Sequence, residues 1–183
     1  MRIIVGSLIV AGLLLALSTM AAACGGDDEL TLEEFFQQVE VIDDDFQQRF
    51  DRLSDEDFPS EFGPGGDERV QRYKAYVGAF AVLFTEFIDE LETVNPPSEA
   101  EDAFDELITG GRELGEGHQE FGDRIEGVES LAELYAVLNE SFAEAPAEAQ
   151  ADFRYLDACE SLQELADTNG IVVSFDCGIF VRG

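Results

Sequence analysis

The chain has 183 residues, and its 41 acidic side chains against 10 basic ones give a formal net charge of −31. That sign excludes nucleic acid as a partner, because a phosphate backbone is held by clustered Lys and Arg and no such cluster occurs; it also disfavours adhesion to anionic lipid head groups. Fifteen Phe and a hydrophobic content of 45% exclude an acidic disordered chain, which lacks the apolar surface to build a core.

Arg2 is the only charge before an apolar run from Ile3 to Leu17, and the residues Ser18 to Ala23 then turn small ahead of Cys24. A charged start, an apolar stretch and a small-residue cleavage site in that order read as a secretory signal. A membrane span needs about 20 predominantly apolar residues and commonly carries a basic flank, and this run is shorter and has none. The residues Ala21-Ala22-Ala23-Cys24 resemble the lipobox of bacterial lipoproteins, with Ala21 where that family usually has Leu. The resemblance implies cleavage before Cys24 and a diacylglyceryl thioether on its sulfur. The alternative is an ordinary signal cut near Ala23 with Cys24 a spare thiol. A lone thiol is a liability in an oxidising compartment, and Gly25-Gly26-Asp27-Asp28 has the flexible polar character of a tether. The expected division is a signal peptide over 1–23, a tether over 24–30 and one acidic helical domain over 31–183. Its length, somewhat over 150 residues, suits a single domain. Removing Arg2 from the 10 basic side chains leaves 9 against 41 acidic ones, so −31 becomes −32. Such a surface draws cations or basic partners, or serves solubility alone.

Thr31-Leu32-Glu33-Glu34 has the form of a capping box. It opens a first helix in which Leu32, Phe35, Phe36, Val39, Ile42, Phe46, Phe50 and Leu53 recur at helical spacing. Ser54 to Gly66 holds two prolines and three glycines and reads as a loop. Asp67 is placed to cap a second helix carrying Val70, Tyr73, Val77, Phe80, Phe84, Phe87, Leu91 and Val94, stopped by Asn95-Pro96-Pro97. Ser98-Glu99-Ala100-Glu101 is a second capping box, opening a third helix with Phe104, Leu107, Ile108, Leu114, Phe121 and Ile125 on one face. Six glycines between Gly110 and Gly127 weaken it by about 1 kcal/mol each, and a break is expected near Gly110-Gly111 or Gly115 to Gly117. Leu131, Leu134, Tyr135, Leu138 and Phe142 describe a shorter helix. Pro146 suits the first position of another, with Phe153, Leu156, Cys159, Leu162 and Leu165, ended by Asn169-Gly170. Ile171 to Cys177 is rich in β-branched residues and too short for a helix, so it reads as an extended tail.

With Cys24 lipidated, Cys159 and Cys177 remain as an even pair in an exported chain, where thiols are oxidised. A disulfide between them ties the tail back along the last helix, burying Ile171, Val173 or Phe175, and constrains the unfolded chain by about 3 kcal/mol. A redox-active pair is disfavoured, because the close Cys-x-x-Cys spacing that tunes a reactive thiol is missing.

His118, the single histidine, shares a helical stripe with Gly111, Gly115, Phe121 and Gly122. Small residues there predict a groove beside the imidazole, a candidate small-ligand site formed by His118, Gly111, Gly115 and Phe121. A metal site with Glu113, Glu116 or Glu120 is the sharper version, but di-metal carboxylate bundles use Glu-x-x-His on two helices, and Gly115 stands three residues before His118. No metal site is therefore assigned. The carboxylate groups Asp43-Asp44-Asp45 and Asp55-Glu56-Asp57, the latter with Glu61 and Asp67, are of the kind calcium favours. Neither matches the twelve-residue calcium loop. No nucleophile motif or phosphate-cradling loop occurs, so no catalytic residue and no cofactor is assigned and an enzyme is not expected.

The ensemble looks like the helical lipoproteins of actinobacteria and their relatives. The residues that carry this are Ala23 to Gly26, Pro96-Pro97 before an acidic helix, and the ending Ala158-Cys159, Leu162-Gln163, Gly170-Ile171 and Cys177. It implies an all-α, up-and-down antiparallel bundle of four to five helices with an extended, disulfide-tethered C-terminal tail. The expected role is a lipid-anchored, non-catalytic module on the extracytoplasmic face of the cell membrane or outer membrane. Its acidic surface would meet a protein partner or divalent cations, and the alternative is a small-ligand or cation-binding lipoprotein with its site on the glycine-rich third helix.

Overall fold

Thr31 and Glu34 form the first capping box reciprocally. The Glu34 amide donates to the Thr31 hydroxyl at 3.3 Å, and the Glu34 carboxylate accepts from the Thr31 amide at 3.1 Å and from its hydroxyl at 2.7 Å. These bonds hold the Glu34 carboxyl below its usual pKa, and they start α1 (Leu32–Asp57) where the sequence places it. The computed structural model describes residues 30–57, 66–144 and 146–173. Beyond α1 these form α2 (Gly66–Leu91), α3 (Glu101–Glu126), α4 (Leu131–Glu144) and α5 (Pro146–Thr168), with no strand among them. Residues 1–29, where a signal peptide and most of a tether are expected, and residues 174–183 lie outside the described residues.

Several boundaries differ from the sequence reading. The first helix runs past Leu53 to Asp57, and Asp67 lies inside α2, which already starts at Gly66. α2 ends at Leu91 and unwinds through tighter turns, Thr93 amide to Glu90 carbonyl and Val94 amide to Leu91 carbonyl, before Pro96 restricts the chain. α3 begins at Glu101, with Ala100 at the N-cap, two residues later than a box capped by Ser98 requires. It then runs unbroken through its glycines. A capping box not singled out in the sequence opens α4: Ser130 accepts from the Glu133 amide at 3.3 Å, and the Glu133 carboxylate accepts from the amides of Ser130 and Glu129. α5 ends as expected. Gly170 has φ of 70°, its amide reaches the Asp167 carbonyl, and the Ile171 amide reaches the Ala166 carbonyl, the paired bonds of a left-handed terminus.

Phenylalanines set the register of the bundle. Phe46 stacks on Phe87 at 4.4 Å and Phe50 meets Phe80 at 5.7 Å, so α1 and α2 are antiparallel. Arg112 reaches Asp89 while Gln119 reaches Thr85, so α2 and α3 are antiparallel too. α5 packs on α3, with Gly110 against Tyr155. The main core joins α1, α2, α3 and α5 through Phe35, Phe46, Phe84, Ile88, Leu107 and Leu162. α4 packs on α2 and α3 and closes a smaller core of Val70, Val77, Ile125, Val128 and Leu134. Lys74 ties the same corner by donating to the carbonyls of Glu126 and Val128, where α3 ends.

The stripe assigned to the last helix holds except at its first residue: Cys159 and Leu162 are buried, and Leu156 and Leu165 pack on the core. The buried face of α5 is Ala151, Tyr155, Ala158, Cys159, Leu162 and Ala166, while Phe153 is 64% exposed. Steps of three lag the helix by about 60° each, so Phe153, two such steps before Cys159, is carried off the core, whereas alternating steps of three and four stay on it. Tyr135 of α4 is also exposed, and the side chain of Phe142 lies outside those described. After Gly170 the chain is irregular: Ile171 and Val173 pack on the core and Val172 points away.

The glycines of α2 and α3 separate two effects. A methyl at Gly110 would stand 2.8 Å from the backbone nitrogen of Tyr155, one at Gly111 would stand 2.3 Å from the tip of Ile88, and one at Gly78 would meet nothing within 4 Å. Gly110→Ala is therefore expected to lower stability by about 1 to 3 kcal/mol through overpacking against a backbone that cannot yield. Gly111→Ala should cost less, since the Ile88 side chain can turn away. Gly78→Ala should raise stability by about 0.5 to 1 kcal/mol, as helix propensity alone decides there. Urea unfolding of the three variants checks this order.

Candidate functional site

The stripe containing Gly111, Gly115, His118 and Gly122 faces α2 along its length, as its spacing requires. A side chain of α2 fills each small position: Ile88 lies over Gly111, Phe84 and Thr85 over Gly115, and Val77 over Gly122. The glycines let two helices approach instead of leaving a groove beside the imidazole. The His118 ring sits edge-on to Phe80 at 4.9 Å and to Phe84 at 5.7 Å. Phe121, expected at the same site, packs on the smaller core instead.

A groove does exist along that seam, away from the imidazole. It has a volume of about 180 Å³ and is lined by Thr85, Gly111, Arg112, Gly115, Glu116 and Gln119 with Ile88 at its base, and His118 does not line it. Arg112 is held at its mouth by Asp89 at 3.0 Å and by Glu92, whose carboxyl it keeps below the usual pKa. The structure thus gathers Gly111 and Gly115 of the predicted site and separates them from His118 and Phe121.

Of the carboxylates expected to draw cations, the described group Asp43-Asp44-Asp45 does not converge. Consecutive helix positions are about 100° apart, so Asp43 turns inward to 9% exposure while Asp44 and Asp45 face solvent. Asp45 sits 3.7 Å from Arg49. Asp43 instead lines a cavity of about 20 Å³ with Tyr155 and Cys159, room for about one water. Glu113 turns to α5, where it pairs with Arg154 at 2.8 Å, and Glu116 and Glu120 are exposed. The side chains of Asp55, Glu56, Asp57, Glu61 and Asp67 lie outside those described. Among the described residues no group of three His, Cys, Asp or Glu is placed to hold a metal. No helix among them is long and apolar enough to cross a membrane.

A second, larger groove was not legible in the sequence. Its volume is about 680 Å³, and it lies between Asp102, Ala103 and Glu106 of α3 and Phe153, Asp157 and Ala158 of α5. Phe153 is the residue that the periodicity of the last helix assigned to the core, and here it lines an open face. Arg154 crosses the seam beside it to Glu106 at 3.5 Å and to Glu113.

Burial against the two phenylalanines lowers the pKa of His118 from 6.5 to about 4. The unfolded chain therefore takes up the proton first. Stability is full above pH 6.5 and falls by about 1.4 kcal/mol per pH unit as pH drops toward 4. Measured by urea unfolding against His118→Phe, which cannot titrate, the wild type should lose roughly 2 to 3 kcal/mol relative to the variant between pH 7 and pH 4. A difference that stays flat with pH would refute the burial of the imidazole. Comparison of the chain with protein-family models, with curated proteins and with solved structures gives no match.

Proposed function

We propose that the chain is exported, anchored by lipid on Cys24, and serves outside the cytoplasm as a non-catalytic interaction module of the cell envelope. The observation that carries this is the order Arg2, apolar run, Ala21-Ala22-Ala23, Cys24, Gly25-Gly26, which matches a signal, a lipobox and a tether in sequence. The interaction role draws support from the distribution of chemistry. Arg49, Arg112 and Arg154 each pair with carboxylates at a helix seam, His118 faces two phenylalanine rings, and the roomier groove opens on the outer face of α3 and α5. Partners drawn to such a surface are proteins with basic segments, or divalent cations held diffusely.

A disulfide from Cys159 to Cys177 belongs to the same reading. Cys159 is buried, and Cys177 lies outside the described residues. The Gln163 amide donates to the Val173 carbonyl at 3.5 Å, so the chain leaving α5 has already turned back along it. Four further residues reach about 14 Å when extended, and one helical turn from Gln163 to Cys159 is about 6 Å, so Cys177 is within range.

Mass spectrometry of the product from its native host should give a chain that begins at a diacylglyceryl-modified Cys24, and Cys24→Ser should move the protein out of the membrane fraction. An unmodified thiol at that position, or a retained leader, would overturn the anchor. Peptide mapping without reductant should recover Cys159 and Cys177 in one cross-linked fragment. A cross-link from Cys159 to Cys24 would dismiss both proposals together.

A further inference from the structure

We propose that the groove between α3 and α5 docks a basic polypeptide segment that carries a large apolar side chain, an inference resting on the reading of the bundle as an interaction module. The groove is built as two ledges with a low floor. On α3, Asp102 and Glu106 stand one turn apart. On α5, Phe153 and Asp157 do the same. Between them lie Ala103 and Ala158, whose methyl side chains leave the depth that gives a volume of about 680 Å³. That volume is within the range of about 300 to 1,000 Å³ typical of recognition pockets.

Phe153 decides the kind of occupant. At 64% exposure it is a large aromatic ring with one side against the groove and the other in water, and burying it is the apolar gain the site offers. A metal ion or a polyamine would answer the carboxylates and leave the ring wet. An uncharged apolar ligand would cover the ring and desolvate Asp102 and Asp157 with no charge to answer them. Arg154, which also lines the groove, is engaged by Glu106 and Glu113, which leaves the charge of Asp102 and Asp157 to be met by a partner. A guanidinium or ammonium from a partner satisfies both ledges, because it can pair with Asp157 and lie over the face of Phe153. A second copy of the chain is a poor occupant, since two surfaces of formal charge −31 repel. Anionic bilayers are excluded on the same ground.

The test uses the mature protein in neutral detergent and a fluorescein-labelled synthetic peptide of alternating Arg and Leu, read by polarisation. Binding is expected, and it should weaken as salt rises from about 50 to 300 mM. Phe153→Ala should weaken it about tenfold, and so should the combined Asp102→Asn and Asp157→Asn variant. The double variant Val41→Ala and Asp44→Asn, on the exposed face of α1, removes the same kinds of group and should leave binding unchanged. Because Phe153 is exposed, its variant should keep the wild-type melting temperature. Equal binding of a Gln and Leu analogue would assign the groove to an apolar ligand and overturn the proposal. Equal weakening by the α1 variant would reduce the effect to diffuse attraction, and no binding, or binding indifferent to Phe153→Ala, would also overturn it. The anchor is judged separately by the mass at Cys24, so failure of one reading is not mistaken for failure of the other.

Discussion

The absence of a side chain at Gly110 is the constraint on which the packing of α3 and α5 depends. A β-carbon there would fall 2.8 Å from the backbone nitrogen of Tyr155, closer than real atoms come, so these helices meet backbone to backbone. Once that distance is fixed, Tyr155 reaches Phe84, with ring centroids 6.2 Å apart, and Leu162 and Leu107 fill the same layer. The helix gives up about 1 kcal/mol of intrinsic propensity at each interior glycine. It regains this only in place, through contacts that a bulkier residue would prevent. α3 is therefore helical because of what surrounds it, which is why its sequence suggested a break and its structure has none.

The aromatic layers supply most of the remaining cohesion. Phe84 contacts Phe46, Phe87 and Tyr155 in tilted or edge-on geometry and stacks on Phe80, and such pairs add about 0.5 to 1.5 kcal/mol beyond the area they bury. His118 joins this layer as a ring among rings. An imidazole held neutral between phenylalanines contributes area and shape, which accounts for a lone histidine on a helix otherwise crowded with carboxylates.

Wherever apolar residues alternate in steps of three and four, the fold was legible. All eight stripe residues of α1 pack into the main core, and the first capping box and the left-handed end at Gly170 formed as their chemistry requires. The errors have physical causes of their own. Phe153 was placed inside because a run of threes looks helical while drifting around the cylinder, and the buried face of α5 uses alanines that carry little hydropathic signal. Ser130 and Glu133 carried the same capping signature as Thr31 and Glu34 and were readable. The candidate site failed to assemble for a reason outside local sequence. Whether a glycine opens space or closes it depends on the facing helix, and here Ile88 and Phe84 occupied the room. The α3 to α5 groove needed two helices at a known distance and was not accessible to any reading of one segment.

The arginines mark which joints of the bundle are fastened. Arg49 joins α1 to Glu86 of α2, Arg112 joins α3 to Asp89 of α2, and Arg154 joins α5 to Glu113 of α3. These are also the three seams where helices pack most closely, and α1 packs chiefly on α2. A pull applied at Leu30, along the axis of the first helix, is thus resisted mainly at one seam, which Arg49 spans. Mechanical strain entering at that end would peel α1 away before it disturbed α3 against α5, leaving the groove beside Phe153 the last surface to feel the force.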